Sequence, residues 1–133
     1  ILVGRGTLAH DHPRLDVRLP GLEAYSPARV VLSRSGAAPE GWLTIQQPTE
    51  IGALPGDHLM IEGGAQTAAA FLAEDLVDRL LLYRAPVLIG RGKAALADIG
   101  LIDLAEAHER WQLIDARSFA PDRLEVYERI RPQ

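Results

Sequence analysis

The chain has 133 residues, 47% of them hydrophobic and 24% charged, with a formal net charge of −4. That is the size and balance of one globular domain around a single core. The acidic balance argues against general nucleic-acid binding, no apolar run approaches the roughly 20 residues of a membrane span, and zero cysteines exclude disulfide frameworks, thiolate catalysis and cysteine zinc sites.

In chain order, "ILVG" (1–4) reads as a buried strand entered midway, and a first residue of Ile rather than Met suggests a piece of something longer. "GRGTLAHDHPRLDVR" (4–18) follows, with glycines at its start and Pro13 in its middle, and reads as a loop without a regular helix or strand. "RVVLS" (29–33), "WLTIQ" (42–46), "HLMIEG" (58–63) and "DRLLLYRAP" (78–86) are short apolar runs, expected to be buried strands and for the most part parallel. "SRSGAAPEG" (33–41) is a loop, and "PTEIGALPGD" (48–57) a loop or single helical turn. "GAQTAAAFLAEDL" (64–76) is the clearest helix, with Ala68, Phe71, Leu72 and Leu76 near one face. After residue 108, "ERWQLIDARSF" and "RLEVYERIR" alternate around "APD" (120–122) as an antiparallel hairpin. The fold class is therefore α/β, a mixed and mostly parallel sheet closed by a C-terminal antiparallel hairpin.

The strongest local chemistry lies in "LMIEGGAQTAAAFL" (59–72). A strand that ends in glycines just before a helix presents unpaired backbone N–H groups at the positive end of the helix dipole, a geometry that accepts phosphate. Glu62 falls at the C-terminal end of that strand, the edge where open α/β sheets bind ligands. The pattern is not a full G-x-G-x-x-G fingerprint, and an ordinary tight strand–helix turn is its bland alternative. "GRGT" (4–7) offers a second turn of the same kind. "GRGKAAL" (90–96) fails as a P-loop, because Val87 stands where the first glycine belongs and Ala94 replaces Ser or Thr. Ser33, Arg34 and Ser35 follow a strand, where basic and hydroxyl residues can hold the 2′-phosphate of NADP, or form a plain polar turn.

Residues 1–34 hold five arginines against Asp11, Asp16 and Glu23, a local net of +2, so the remainder sums to −6. A positive end on an acidic protein suits a small anionic ligand. His10, Asp11 and His12 are neighbours that do not converge on one ion without a turn, and no metal site is expected. No Ser-His-Asp order with a G-x-S-x-G elbow occurs, so acyl transfer has no support.

Taken together, "ILVGRGTLAHDHPRLDVRLPGLE", "SPARVVLSRS", "LMIEGGAQTAAAFLAEDLVDRLLLYRAPVLIGRGKAAL" and the closing hairpin resemble the C-terminal reductase domain of the bifunctional riboflavin-biosynthesis deaminase/reductase. The resemblance implies a dihydrofolate-reductase-like fold, NADPH as cofactor, and reduction of the ribosyl group of 5-amino-6-(5-phosphoribosylamino)uracil to ribityl. By the same resemblance, Thr7 and Asp11 are cofactor contacts near the nicotinamide, and Leu15 and Arg18 are substrate contacts, Arg18 facing the ribose phosphate. Glu62 meets the reacting ribose, and Gly64, Ala65, Gln66 and Thr67 hold the pyrophosphate. Ser33 and Arg34 lie in the stretch that meets the 2′-phosphate. Asp11 and Glu62 are the candidates for supplying or relaying a proton.

His12 stands where that family usually has Asp or Asn, and the stretch from Pro39 to Asp57 is short for it. Residues 1–133 are expected to form one reductase domain, incomplete at its N-terminal side, without the deaminase domain. A cytoplasmic homodimer acting on a phosphorylated pyrimidine, with no nucleic-acid or membrane partner, completes the expectation. The alternatives are a related NADPH reductase of a pterin or another pyrimidine, or a non-catalytic dimerisation fragment that uses the apolar "LLLYRAPVLIG" edge.

Overall fold

The computed structural model describes residues 1–131. Four short strands, β1 (Leu2–Gly4), β2 (Val30–Leu32), β3 (Leu43–Ile45) and β4 (Ile61–Glu62), form one parallel sheet in the order β3-β2-β1-β4. The register pairs Leu2 with Val30 on one side and with Ile61 on the other. Leu2, Val3, Val30 and Val31 are all buried. Consecutive apolar residues, rather than alternating ones, are what a sheet covered on both faces requires.

Helix α1 (Arg5–Asp11) follows β1 directly, and this corrects the expectation of a loop through residues 4–18. Gly4 caps it in extended conformation, and His12 ends it in the left-handed region at φ 46°, its N–H donating to the Leu8 carbonyl at 3.2 Å. Pro13 comes after the stop, where proline is tolerated. The helix has no buried residue and so no apolar stripe to betray it; its two ends hold it.

Helix α2 (Ala65–Ala73) lies within the expected span. Its Phe71 is fully buried against Leu2, Val30 and Ile45, and Ile61, Leu76 and Val77 pack on the same cluster. Thr67 and Ala69 are buried too, while Ala68 and Leu72 are half-buried, so the inward face is turned slightly from the one expected. Asp75, at φ 53°, ends the helix as its N–H donates to the Leu72 carbonyl. The segment Pro48–Ala53 is a short 3-10 stretch, matching the single-turn alternative.

The remaining strands, β5 (Arg79–Arg84), β6 (Trp111–Phe119) and β7 (Asp122–Arg129), form a separate antiparallel sheet in the order β5-β7-β6. The expected hairpin is present, with a bulge between Leu113 and Asp115. The fifth apolar run is thus a strand, but it runs antiparallel to β7 and is largely exposed. Polar contacts hold this sheet together. Glu125, buried on the central strand, accepts from Arg84 at 2.6 Å and from the Tyr127 hydroxyl at 2.9 Å, and pairs with Arg123 at 3.2 Å. Arg129 donates to Asp75 at 2.6 Å and stacks over Trp111, while Arg131 pairs with Asp78, so the second sheet is fastened to the end of α2.

Candidate functional site at the sheet edge

The C-terminal ends of β1, β2 and β4 bring three turns onto one edge. Gly4 leads into α1, Ser33 follows β2, and Gly63–Gly64 lead into α2. Thr67 locks two of them. A Cβ on Gly4 would come within 2.2 Å of the Thr67 hydroxyl oxygen, and one on Gly63 within 2.8 Å of Thr67 Cβ. These two glycines therefore serve helix–strand packing, not the approach of a ligand. Gly64 differs: a Cβ there would meet nothing within 4 Å, so the space in front of it is open.

Gly64 is the N-cap of α2, and no side chain caps the helix. The first intrahelical bond is from Ala68 N–H to the Gly64 carbonyl, at 3.1 Å. The N–H groups of Gly64, Ala65, Gln66 and Thr67 precede it and have no intrahelical acceptor, which leaves donors and dipole for an anion. Gln66 is exposed, whereas the Thr67 side chain is turned inward, so Thr67 has only its backbone N–H to offer. The loop after β5 returns here, with Ala97 N–H donating to the Ala65 carbonyl at 3.1 Å.

Beside this turn, Ser33 is buried with its hydroxyl 3.1 Å from that of Ser35, and Arg5 hydrogen-bonds Ser35. Arg34 is exposed next to them. One guanidinium group, that of Arg5, and two hydroxyls thus share one corner, suited to a phosphate dianion. Ser35 belongs to the stretch read from sequence as able to hold a 2′-phosphate, whereas Arg5 was not singled out as a binding residue. Its signal was its position directly after a strand, matched by hydroxyl residues directly after the next. Glu62 ends β4 exposed and makes no ion pair among the described residues.

The remaining sequence-derived residues fall elsewhere. Thr7 lies in the first turn of α1 and Asp11 at its far end, on the order of 6 Å further along the axis at 1.5 Å per residue. Leu15 is held in the left-handed region at φ 50° and lines an open hollow of about 390 Å³ with Asp16, Ser26, Ala28, Arg29 and Gly41. Ala28, Arg29 and Gly41 precede β2 and β3, which puts this hollow at the N-terminal edge of the sheet, opposite the glycine turn. Asp16 binds Arg14 at 2.6 Å and stands 3.9 Å from Arg18, whose side chain is 78% exposed and free to reach outward. Strands of three residues span only about 10 Å, so the two edges are a small molecule's length apart. No group of three or more metal-ligating side chains occurs among the described residues.

Residues 49–124 match the family model of the RibD C-terminal domain. The chain belongs to that family. The riboflavin biosynthesis protein RibD of Mycobacterium tuberculosis H37Rv is 33% identical over 138 residues, covering 93% of this chain and 40% of the relative. That of Corynebacterium ammoniagenes is 34% identical over 113 residues, covering 73% of this chain and 34% of the relative. This RibD C-terminal domain therefore spans about 40% or less of the length of these two curated relatives.

Among solved structures, a deaminase/5-amino-6-(5-phosphoribosylamino)uracil reductase from Thermotoga maritima superposes with a TM-score of 0.77 at 19% identity, covering 97% of this chain and 44% of the other. RibD of Acinetobacter baumannii gives 0.74 at 24%, covering 98% and 46%. The fold is the dihydrofolate-reductase-like fold expected from sequence.

Proposed function

We propose that this chain carries the reductase half-reaction of its family, the NADPH-dependent reduction of the ribosyl group of 5-amino-6-(5-phosphoribosylamino)uracil to ribityl. The observation that carries the reading is the alignment, along one sheet edge, of an uncapped helix N-terminus, an exposed glutamate and a corner formed by Arg5, Ser33 and Ser35. This is the edge at which open parallel sheets bind dinucleotides. The N–H groups of Gly64, Ala65, Gln66 and Thr67 suit a pyrophosphate. Arg5, Arg34, Ser33 and Ser35 suit the 2′-phosphate that separates NADPH from NADH.

NADPH, when bound, supplies the hydride. The chain's own residues bind, orient and hold a proton. Arg18, with its guanidinium exposed, can grip a sugar phosphate through two parallel hydrogen bonds, and Leu15 supports the pyrimidine side. Conversion to ribityl needs a proton at the heteroatom released from C1′. Glu62, at the end of β4 beside the glycine turn, would hold it, with Asp11 on α1 as the second candidate and Thr7 of the same helix as a cofactor contact. Residues 1–133 belong to one reductase domain, a cytoplasmic homodimer in this reading. Among the described residues no helix is long and apolar enough to cross a membrane.

NADPH oxidation with the phosphoribosylaminouracil tests the proposal. Glu62→Gln is expected to lower kcat by about 100-fold or more, the lower end for a general acid. Arg5→Ala is expected to raise KM for NADPH by about tenfold while leaving KM for NADH unchanged, since a hydrogen bond to a charged group contributes about 1.5–3 kcal/mol. A folded protein that neither binds nor oxidises NADPH sinks the reading.

A further inference from the structure

Asp16 carries a polar atom that the fold leaves unused. Its Oδ1 is shut off from solvent and accepts no hydrogen bond among the described residues. Buried acceptors are nearly always satisfied, and a bare charged one is the costliest kind, so the orphan calls for a donor.

Most groups around it are already engaged. Oδ2 of the same carboxylate takes the Arg14 guanidinium at 2.6 Å. The Ser26 hydroxyl accepts from Val17 N–H at 3.1 Å and donates its one proton to the Glu23 carbonyl at 2.7 Å. Arg29 lies over the Trp42 ring, 5.5 Å from its centroid. That leaves Arg18, whose Nε stands 3.9 Å from Oδ1, about 1 Å beyond the usual hydrogen-bond distance. Leu15 in the left-handed region and the Val17–Ser26 bond fix the backbone on either side of Asp16. The carboxylate is 26% exposed and the Arg18 side chain 78%, so Asp16 is the held member of the pair and Arg18 the one that swings.

We propose that Asp16 is a positioning residue for substrate phosphate, acting through Arg18. When substrate binds, Arg18 Nε donates to Asp16 Oδ1. The Nη1–Nη2 edge of the guanidinium is thereby aimed outward, where it makes two parallel hydrogen bonds to the phosphate. Arg14, on the other carboxylate oxygen, keeps the trio at a net charge of +1, so the anion still meets a positive field. The inference rests on the reading of Arg18 as the sugar-phosphate contact. It adds a sign that an unconnected carboxylate would reverse. A negative charge that merely stands near a phosphate repels it, and its removal tightens binding; a carboxylate that orients the gripping arginine does the opposite.

The test is calorimetric titration with ribose 5-phosphate, the phosphate end of the proposed substrate, alongside steady-state kinetics and thermal unfolding. Asp16→Ala is expected to raise Kd for ribose 5-phosphate about tenfold, the lower end for a hydrogen bond to a charged group. KM for the phosphoribosylaminouracil should rise in step, with kcat, KM for NADPH and Tm unchanged. Asp16→Asn, which keeps an uncharged acceptor in place, should raise Kd by less. Unchanged or tighter binding in Asp16→Ala overturns the proposal, and so does a loss that moves Tm and KM for NADPH together. Arg18→Ala separates the two readings. If it leaves Kd unaltered, Arg18 is not the phosphate contact and both fall. If it weakens binding while Asp16→Ala does not, only the positioning role falls. In the double variant Asp16→Ala should add nothing to the loss from Arg18→Ala, and additive losses would show that Asp16 does not act through Arg18.

Discussion

The parallel sheet and the antiparallel sheet of this chain are stabilised in opposite ways. The first has strands of two or three residues, of which β1 and β2 are buried on both faces, with Phe71 of α2 closing the cluster. The second has strands of six to nine residues, but buries only Leu124, Glu125 and Val126 of its central strand and relies on arginine–carboxylate pairs. The rigid, apolar sheet is the one whose edge presents the candidate site. Loops that carry function are positioned by a scaffold that does not move, and a core packed to crystal density supplies that.

If this contrast is right, truncating the core of the first sheet does the most damage. Phe71→Ala is expected to cost about 3–5 kcal/mol, the range for a buried aromatic, read as a lowered urea midpoint or as failure to fold. Next in size, Gly4→Ala forces a methyl group against Thr67 and is expected to cost about 1–3 kcal/mol. Adding Thr67→Ala should recover part of that loss, and a double-mutant cycle measures how much.

The second sheet is tested by acid. The hydrogen bond from Arg129 holds the Asp75 carboxyl below its ordinary value of 3.8. The Tyr127 hydroxyl, together with Arg84 and Arg123, holds that of Glu125 below 4.5. In the unfolded chain both groups bind protons more readily, so their stabilisation is complete above their ordinary values and is lost as pH falls through the lowered ones. Thermal unfolding is expected to show Tm falling below about pH 4.5, with Asp75→Asn flattening part of the slope. The smallest effect is expected from Leu113→Ala on the exposed face of β6. It should stay within about 1 kcal/mol of the parent, against several for Phe71. Equal losses at the two positions would erase the distinction between the sheets.

Much of the fold was legible because strand and helix α2 signals are local. Runs such as "RVVL" and "RLLLYR" announce strands through β-branched and leucine content, and Gly63–Gly64 before an alanine-rich stretch announces a helix start. Helix α1 was not legible, since seven residues with no buried face leave no periodic trace. The resemblance implies Thr67 as part of the pyrophosphate turn, and nothing in the sequence tells that its side chain is wedged between Gly4 and Gly63, which leaves only its backbone N–H for that role. Arg5 and Ser35 are 30 residues apart, and only the parallel pairing of β1 with β2 brings them together.

The sequence by itself determined which segments are apolar enough to become strands, where the glycine turn before α2 falls, and which charged residues cluster near the start of the chain. Each depends on residues within a few positions of one another, where intrinsic preference and hydrophobic period act directly. Only the tertiary structure decided which strands pair and in which direction, which glycines make room for Thr67 and which one faces open space, and that Leu15 and Glu62 sit at opposite edges of one sheet. Those outcomes come from contacts between residues distant in the chain, and burial and register are settled only when the whole core closes.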